Sequence, residues 1–222
     1  MSNILVICAH PDDESLGLGG TLAFHASRGD TVHVLMFATG QYGRDESEKG
    51  ISERKKQGEK AFKILGVKKF QFLNYDDQNL DIVPLTELTK SIENIIKKWK
   101  PIIIYTHFWG DINQDHRRVY EATLIASKPR LGSSIEQVIC YETPSSTDIT
   151  YGSDHFTPNF FVDIKKFIKK KNKAVIQYKK EISTFPHPRS LEAINNRAKF
   201  WGSIVNLEYA EAFIKIREIQ SG

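Results

Sequence analysis

Short apolar runs alternate with longer stretches of helical period through the first half of the chain: residues 4–8 then 16–28, 31–37 then 52–65, and 70–73 then 85–99. Brief runs bounded by turn residues predict strands, and apolar positions spaced three and four apart predict amphipathic helices, so the rhythm is βαβ. Such units build a mostly parallel sheet, because each parallel pair needs a crossover and the crossover helix covers a face. Residues 101–106, Pro-Ile-Ile-Ile-Tyr-Thr, predict a further strand, continuous in apolar residues as burial on both faces demands. Gly29-Asp30 turns the first helix into the second strand, and Gly66 closes the second helix as a C-cap.

Beyond residue 135 the rhythm changes. Residues 136–141 and 159–163 read as strands, separated by a Ser/Thr/Pro-rich stretch over 143–158. Helices are expected over 165–180, 190–202 and 208–219, with Pro186 and Pro188 as punctuation. No segment is rich enough in Gly or Ser to part the chain and no repeat is evident, so residues 1–222 read as a single α/β domain with a Rossmann-like, mostly parallel sheet flanked by helices.

Composition narrows the function classes. A chain of 222 residues buries a full core without disulfides. Its 40% hydrophobic and 26% charged residues are ordinary for a globular protein. No apolar run approaches the ~20 residues a membrane span needs, so no integral membrane segment is expected. Met1-Ser2-Asn3 leads straight into a strand without the pattern of a signal peptide, and a cytoplasmic location is the expectation. Cys8 and Cys140 end apolar runs and read as core thiols, not as a zinc or disulfide pair. The net charge of +4 is modest, and the lysines clustered at 97–100 and 165–173 read as solvated helix faces. With no stacking motif or recognition helix beside them, no nucleic-acid partner is expected. Assembly into a homo-oligomer is compatible with the sequence.

The chemistry lies in two polar clusters. His10-Pro11-Asp12-Asp13-Glu14 follows the first strand directly, and a second polar cluster, His107 to His116, begins where the strand over 101–106 ends. Ligand sites in open α/β sheets lie outside the carboxyl ends of the strands, so both clusters are expected at one rim. Acids crowded there need a strong countercharge, for which a divalent cation is the natural source. The plainer reading, a solvated loop whose acids cap the next helix, leaves the histidines and the second cluster unexplained. Gly17, Gly19 and Gly20 lie within the following helix behind acids that would repel a pyrophosphate, so close helix–sheet packing is favoured over dinucleotide binding. A zinc hydrolase takes about three nitrogen and oxygen ligands and leaves one position for water. His10, Asp13 and His116 provide that set. Asp12, adjacent to a ligand, cannot easily bind the same ion and is free to act as general base, which makes amide or ester hydrolysis accessible.

Ala9 to Glu14 with Gly17, Gly19-Gly20-Thr21 and Asp111-Ile112-Asn113-Gln114-Asp115-His116-Arg117 resembles the LmbE/PIG-L-like family of zinc-dependent N-deacetylases. The likeness extends to Arg54 and its helix ending in Leu65-Gly66, to Asp77-Gln78-Asn79-Leu80, and to later segments including Thr143-Pro144-Ser145-Ser146 and Pro186-His187-Pro188-Arg189-Ser190. It implies zinc on His10, Asp13 and His116, Asp12 as base, and an N-acetylated sugar or sugar conjugate, N-acetylglucosamine-like, as substrate. Arg54 and Arg189 become substrate contacts, since a guanidinium offers paired donors to hydroxyls or phosphate. Asp115 and Asp111 are expected to orient the metal-binding histidines, with Arg117 orienting one of these acids. Many members carry a histidine where this chain has Asn113, which can donate to an oxyanion but cannot deliver a proton. His187, and after it His107, is the expected proton source. Iron, manganese or cobalt can replace zinc on such ligands. The alternatives are an amidase for another small acylated amine or thiol conjugate, and a metal-dependent binding protein without catalysis. His25 and His33 read as structural or surface histidines, and Trp109 as either packing or a face for a sugar ring.

Overall fold

The first apolar run forms β1 (Asn3–Cys8), whose pleat deals its side chains to two cores: Ile4, Val6 and Cys8 to one, Leu5 and Ile7 to the other. In this computed structural model residues 1–38, 48–150, 152 and 154–220 are described. Around β1 lie β2 (Thr31–Ala38), β3 (Lys69–Tyr75), β4 (Ile103–His107), β5 (Gln137–Tyr141), β6 (Phe160–Asp163) and β7 (Ala210–Glu218). They form one seven-stranded sheet in the order β3-β2-β1-β4-β5-β7-β6. The first five are mutually parallel, and β7 runs antiparallel to both β5 and β6.

Helices cover both faces. α1 (Asp13–Ser27), α2 (Glu48–Leu65), α5 (Ile168–Val175) and α6 (Leu191–Ile204) give Leu18 and Leu22, Phe62 and Leu65, Ile168, and Ala198 to the first core. α3 (Leu85–Trp99) and α4 (Gln114–Ala126) give Leu88, Ile92 and Trp99, with Val119 and Ala122, to the second. The chain builds outward from β1 through β2 to β3 and then returns to lay β4 on the other side of β1. That reversal opens a crevice at the carboxyl ends of β1 and β4, the place where such sheets bind ligands.

The early alternation matches the sequence reading, and α3 has the expected bounds. Gly29 and Gly66 take φ of 86° and 85°, as their turn and cap positions require. Gly17 and Gly20 serve close packing: a Cβ on Gly17 would stand 2.5 Å from the Glu142 carbonyl oxygen, and one on Gly20 2.7 Å from Ile164 Cγ2. His25 bridges Asp30 at 2.9 Å and the Tyr105 hydroxyl at 3.0 Å, and His33 stacks on Trp99, so both are structural. Both cysteines are buried and free. Among the described residues no helix is long and apolar enough to cross a membrane.

Two expectations need correction. Residues 208–219 are not a helix: they form β7, filling the antiparallel slot between β5 and β6. Glu, Lys and Arg there suggest a helix locally, but cross-strand packing overrides that preference, with Phe213 and Ile214 facing opposite sides of the sheet. Of residues 165–180 only Ile168–Val175 is α-helical. The chain leaves the helix to bury Tyr178, whose hydroxyl donates to Glu14 Oε1 at 2.6 Å. The helix α4, unforeseen in the polar stretch after His107, carries His116 on its first turn.

β7 also brings an acid into the interior. α1 departs from helical geometry at Leu18 (φ −141°), and just beyond it the backbone N–H groups of Gly20 and Thr21 donate to the Glu211 carboxylate at 2.9 and 2.6 Å. Lys171 Nζ lies 2.6 Å from Glu211 Oε1, both side chains being buried. Breaking a buried pair strands the remaining charge, so Glu211→Ala is expected to destabilise the fold by about 3–5 kcal/mol, read from urea unfolding midpoints. A loss below about 1 kcal/mol would show that Lys171 finds water or another partner at little cost.

Candidate metal centre

The turn after β1 separates the roles of adjacent acids. Asp12 takes φ of 126°, a conformation costing about 1–3 kcal/mol for a residue with a Cβ. The Asp13 carboxylate folds back to accept from the His10 backbone N–H at 2.7 Å. From the other side of the crevice comes α4, capped by Asn113, whose Oδ1 accepts from Asp115 N at 2.9 Å. His10 Nδ1 and His116 Nε2 then stand 3.3 Å apart, with Asp13 oxygens 3.7 Å from the first and 3.5 Å from the second. A tetrahedral ion with zinc-like bond lengths has ligand-to-ligand edges of about 3.3–3.4 Å. Asp13 Oδ1 is buried without a hydrogen-bond partner, as expected of an atom that faces a cation. His10, Asp13 and His116 therefore fit one divalent ion.

Outer carboxylates set which ring nitrogens face inward. His10 Nε2 lies 3.0 Å from Asp115 Oδ2 and 2.8 Å from Asp77 Oδ1, while His116 Nδ1 lies 3.1 Å from Asp111 Oδ2. Each imidazole thus donates outward and points its lone pair at the shared centre. Asp115 is held by the backbone N–H groups of Gln78 and Leu80, and Asp111 by Ser146 Oγ, Thr147 Oγ1 and Asn113 N. Arg117 donates to the Asp111 and Ile112 carbonyls and so steadies the loop through its backbone. His10, Asp77 and Asp115 form a second group within metal-binding distance of one another. Because both Asp115 oxygens are already bonded to backbone N–H groups, the group containing Asp13 is the better cation site.

The electrostatics agree. Burial opposes charge on His116, yet Asp111 and Asp13 outweigh it and raise its pKa to about 9. Burial likewise opposes charge on His10, and Asp115 and Asp77 raise it well above the ordinary value. A centre that draws protons onto its histidines lacks positive charge, which a divalent cation supplies. His107 lies beneath, its ring stacked on His116 with centroids 3.9 Å apart and its Nε2 accepting from Ala9 N at 2.9 Å. Burial, then the His116 charge, lowers its pKa to about 4, which favours the neutral ring.

Asp12 faces two arginines. Arg189 Nη1 lies 3.1 Å and Arg54 Nη2 3.2 Å from Asp12 Oδ2, and Arg54 is only 4% exposed. Burial pushes the Asp12 carboxyl up while Arg189 and Arg54 oppose the shift. Both arginines expected at the substrate are thus placed on the candidate base. His187 is exposed, with Nδ1 accepting from Arg189 N at 3.1 Å. Trp109 donates to Asp154 and packs on Phe108 and Tyr120. Glu181, which pairs with both arginines, was missed by sequence reasoning, since an acid ending a lysine-rich stretch reads as a solvated charge. The roles of Ser146 and Thr147 on Asp111 also left no local signal.

Outer carboxylates of this kind contribute to metal affinity. Asp111→Asn is expected to weaken cation binding about 10–100-fold, measured by competition with a chromophoric chelator. An unchanged affinity would mean that Ser146 and packing alone orient His116.

The chain matches the family PIG-L: GlcNAc-PI de-N-acetylase over residues 5–127, a span that holds His10, Asp12, Asp13, Arg54, Asp111, Asn113, Asp115 and His116. It is 35% identical over 168 residues to the uncharacterized deacetylase YaiS of Escherichia coli (strain K12), covering 73% of this chain and 82% of that protein. With the diacetylchitobiose deacetylase of Thermococcus kodakarensis it shares 28% identity over 223 residues, covering 95% and 82%. The conserved protein TT1542 from Thermus thermophilus has the same fold, with a TM-score of 0.79 and 27% identity over 100% of this chain and 98% of that one.

Proposed function

The chain belongs to the PIG-L family of GlcNAc-PI de-N-acetylases, and on that footing we propose that it hydrolyses the acetamide of an N-acetylated sugar or sugar conjugate with one divalent cation such as zinc. The observation that carries this reading is the convergence of His10 Nδ1, His116 Nε2 and the Asp13 carboxylate within metal-binding distance of one another, with Asp12 adjacent but outside the set. When bound, the cation acts as a Lewis acid toward the acyl carbonyl and acidifies water.

The protein supplies the remaining parts. Asp12 takes the proton of the attacking water and can return it to the departing amine. Asn113 commits Oδ1 to the α4 cap, leaving its Nδ2 end to donate to the oxyanion. Arg189, 21% exposed at its side chain, holds Asp12 from the open side and brings His187 to the rim as a second proton source. A sugar amide is favoured because a relative covering 95% of this chain is a diacetylchitobiose deacetylase. The donor set does not by itself select zinc over manganese, iron or cobalt.

The test couples metal analysis of the purified protein to acetate release from a panel of N-acetylated sugars that includes N,N'-diacetylchitobiose. One cation per chain and acetate from at least one sugar are expected. Stoichiometric cation without acetate from any member would reject the substrate class, and a protein that binds no cation would reject the mechanism.

A further inference from the structure

Two guanidiniums converge on a single oxygen, Asp12 Oδ2, at 3.2 Å from Arg54 and 3.1 Å from Arg189. One carboxylate balances only one of them, and like charges brought together out of water repel strongly. Glu181 bridges the pair from a second side: Oε1 lies 3.3 Å from Arg54 Nη1 and Oε2 3.0 Å from Arg189 Nη1. The four groups close a ring of alternating charge in which Asp12, Arg54 and Glu181 are buried.

The ring is anchored on several sides. Glu181 N donates to the Tyr178 carbonyl, and Tyr178 is buried with its ring face 5.1 Å from the Arg54 guanidinium and its hydroxyl on Glu14. Arg189 Nε donates to Ser145 Oγ at 2.7 Å, and Arg54 Nη2 donates to the Pro11 carbonyl. No hydrogen bond among the described residues reaches Asp12 Oδ1.

We infer that Glu181 is a positioning residue for the general base: by keeping Arg54 and Arg189 together on Oδ2 it fixes the rotation of the Asp12 carboxylate and reserves Oδ1 to receive the proton. This inference rests on the deacetylase reading. Its logic is geometric, since a small misplacement of a reacting group is enough to lose much of the rate.

Kinetics and crystallography test it separately. With N,N'-diacetylchitobiose and the metal-loaded enzyme, Glu181→Gln is expected to lower kcat about 100-fold with KM within about threefold and the cation retained. In an Arg189→Gln background the same substitution is expected to cost under about fivefold more, because the ring is already open. An unchanged kcat in the single variant, or losses that multiply fully in the double variant, overturns the inference. A crystal structure of Glu181→Gln gives a readout independent of turnover. A rotated Asp12 carboxylate or an arginine gone from Oδ2 supports the assignment, and unmoved Asp12, Arg54 and Arg189 overturn it. If the wild type releases no acetate, the deacetylase reading is what fails, and the crystal structure still decides on Glu181. Should Glu181→Gln not fold, Glu181→Asp keeps the charge, shortens the reach and serves the same readouts.

Discussion

Asp12→Asn is expected to lower kcat by about 10²–10⁴-fold, the usual worth of a positioned general base, while one cation per chain remains bound. Asparagine has the same shape, and with aspartate it is among the non-glycine residues most often found at positive φ, so the turn that places His10 and Asp13 should survive. What it lacks is a basic oxygen. Its amide also presents N–H donors toward Arg54 and Arg189, which are donors themselves. The ligand atoms come from His10, Asp13 and His116, so metal content should not change. Steady-state acetate release beside metal analysis reads both quantities. A loss of less than about tenfold with full occupancy would assign the base elsewhere.

Removing the cation is expected to cost at least as much. Lewis-acid stabilisation worth several kcal/mol corresponds to about a thousandfold or more in rate, so chelator-treated protein should fall to background and regain turnover with one equivalent of zinc. Stability should fall as well, because a ligand bound only by the folded state contributes about 2.7 kcal/mol at one hundred times its dissociation constant. The carboxylates of Asp13, Asp111 and Asp115 crowd around the paired imidazoles, and the cation is the countercharge that relieves them. His116→Ala should lose activity without recovery on adding zinc, since Nε2 is one of the three converging atoms. Full activity in protein shown to be metal-free would end the metal-centred reading.

Much of the fold was legible before any coordinates. The alternation through α3 follows from local periodicity, and the first polar cluster follows β1 at the rim where α/β sheets bind ligands. His10, Asp13 and His116 could be picked out because donor-rich residues stood at the ends of apolar runs, and the resemblance to a family sharpened that choice. For the arginines the sequence suggested a substrate contact, and the structure shows in addition that both lie on Asp12.

By itself, then, the sequence determined the βαβ order, the two rims that meet and the donors they carry, because period and strand-end position are properties of a short segment. Only the tertiary structure decided that residues 210–218 are a strand, that Glu211 is buried on Lys171, that Asp111 is held by Ser146 and Thr147, and that Glu181 binds two arginines to one oxygen. Each of these depends on at least one partner tens of residues or more away in the chain. A charged side chain looks the same in sequence whether water or a buried counterion solvates it, and packing alone makes that choice.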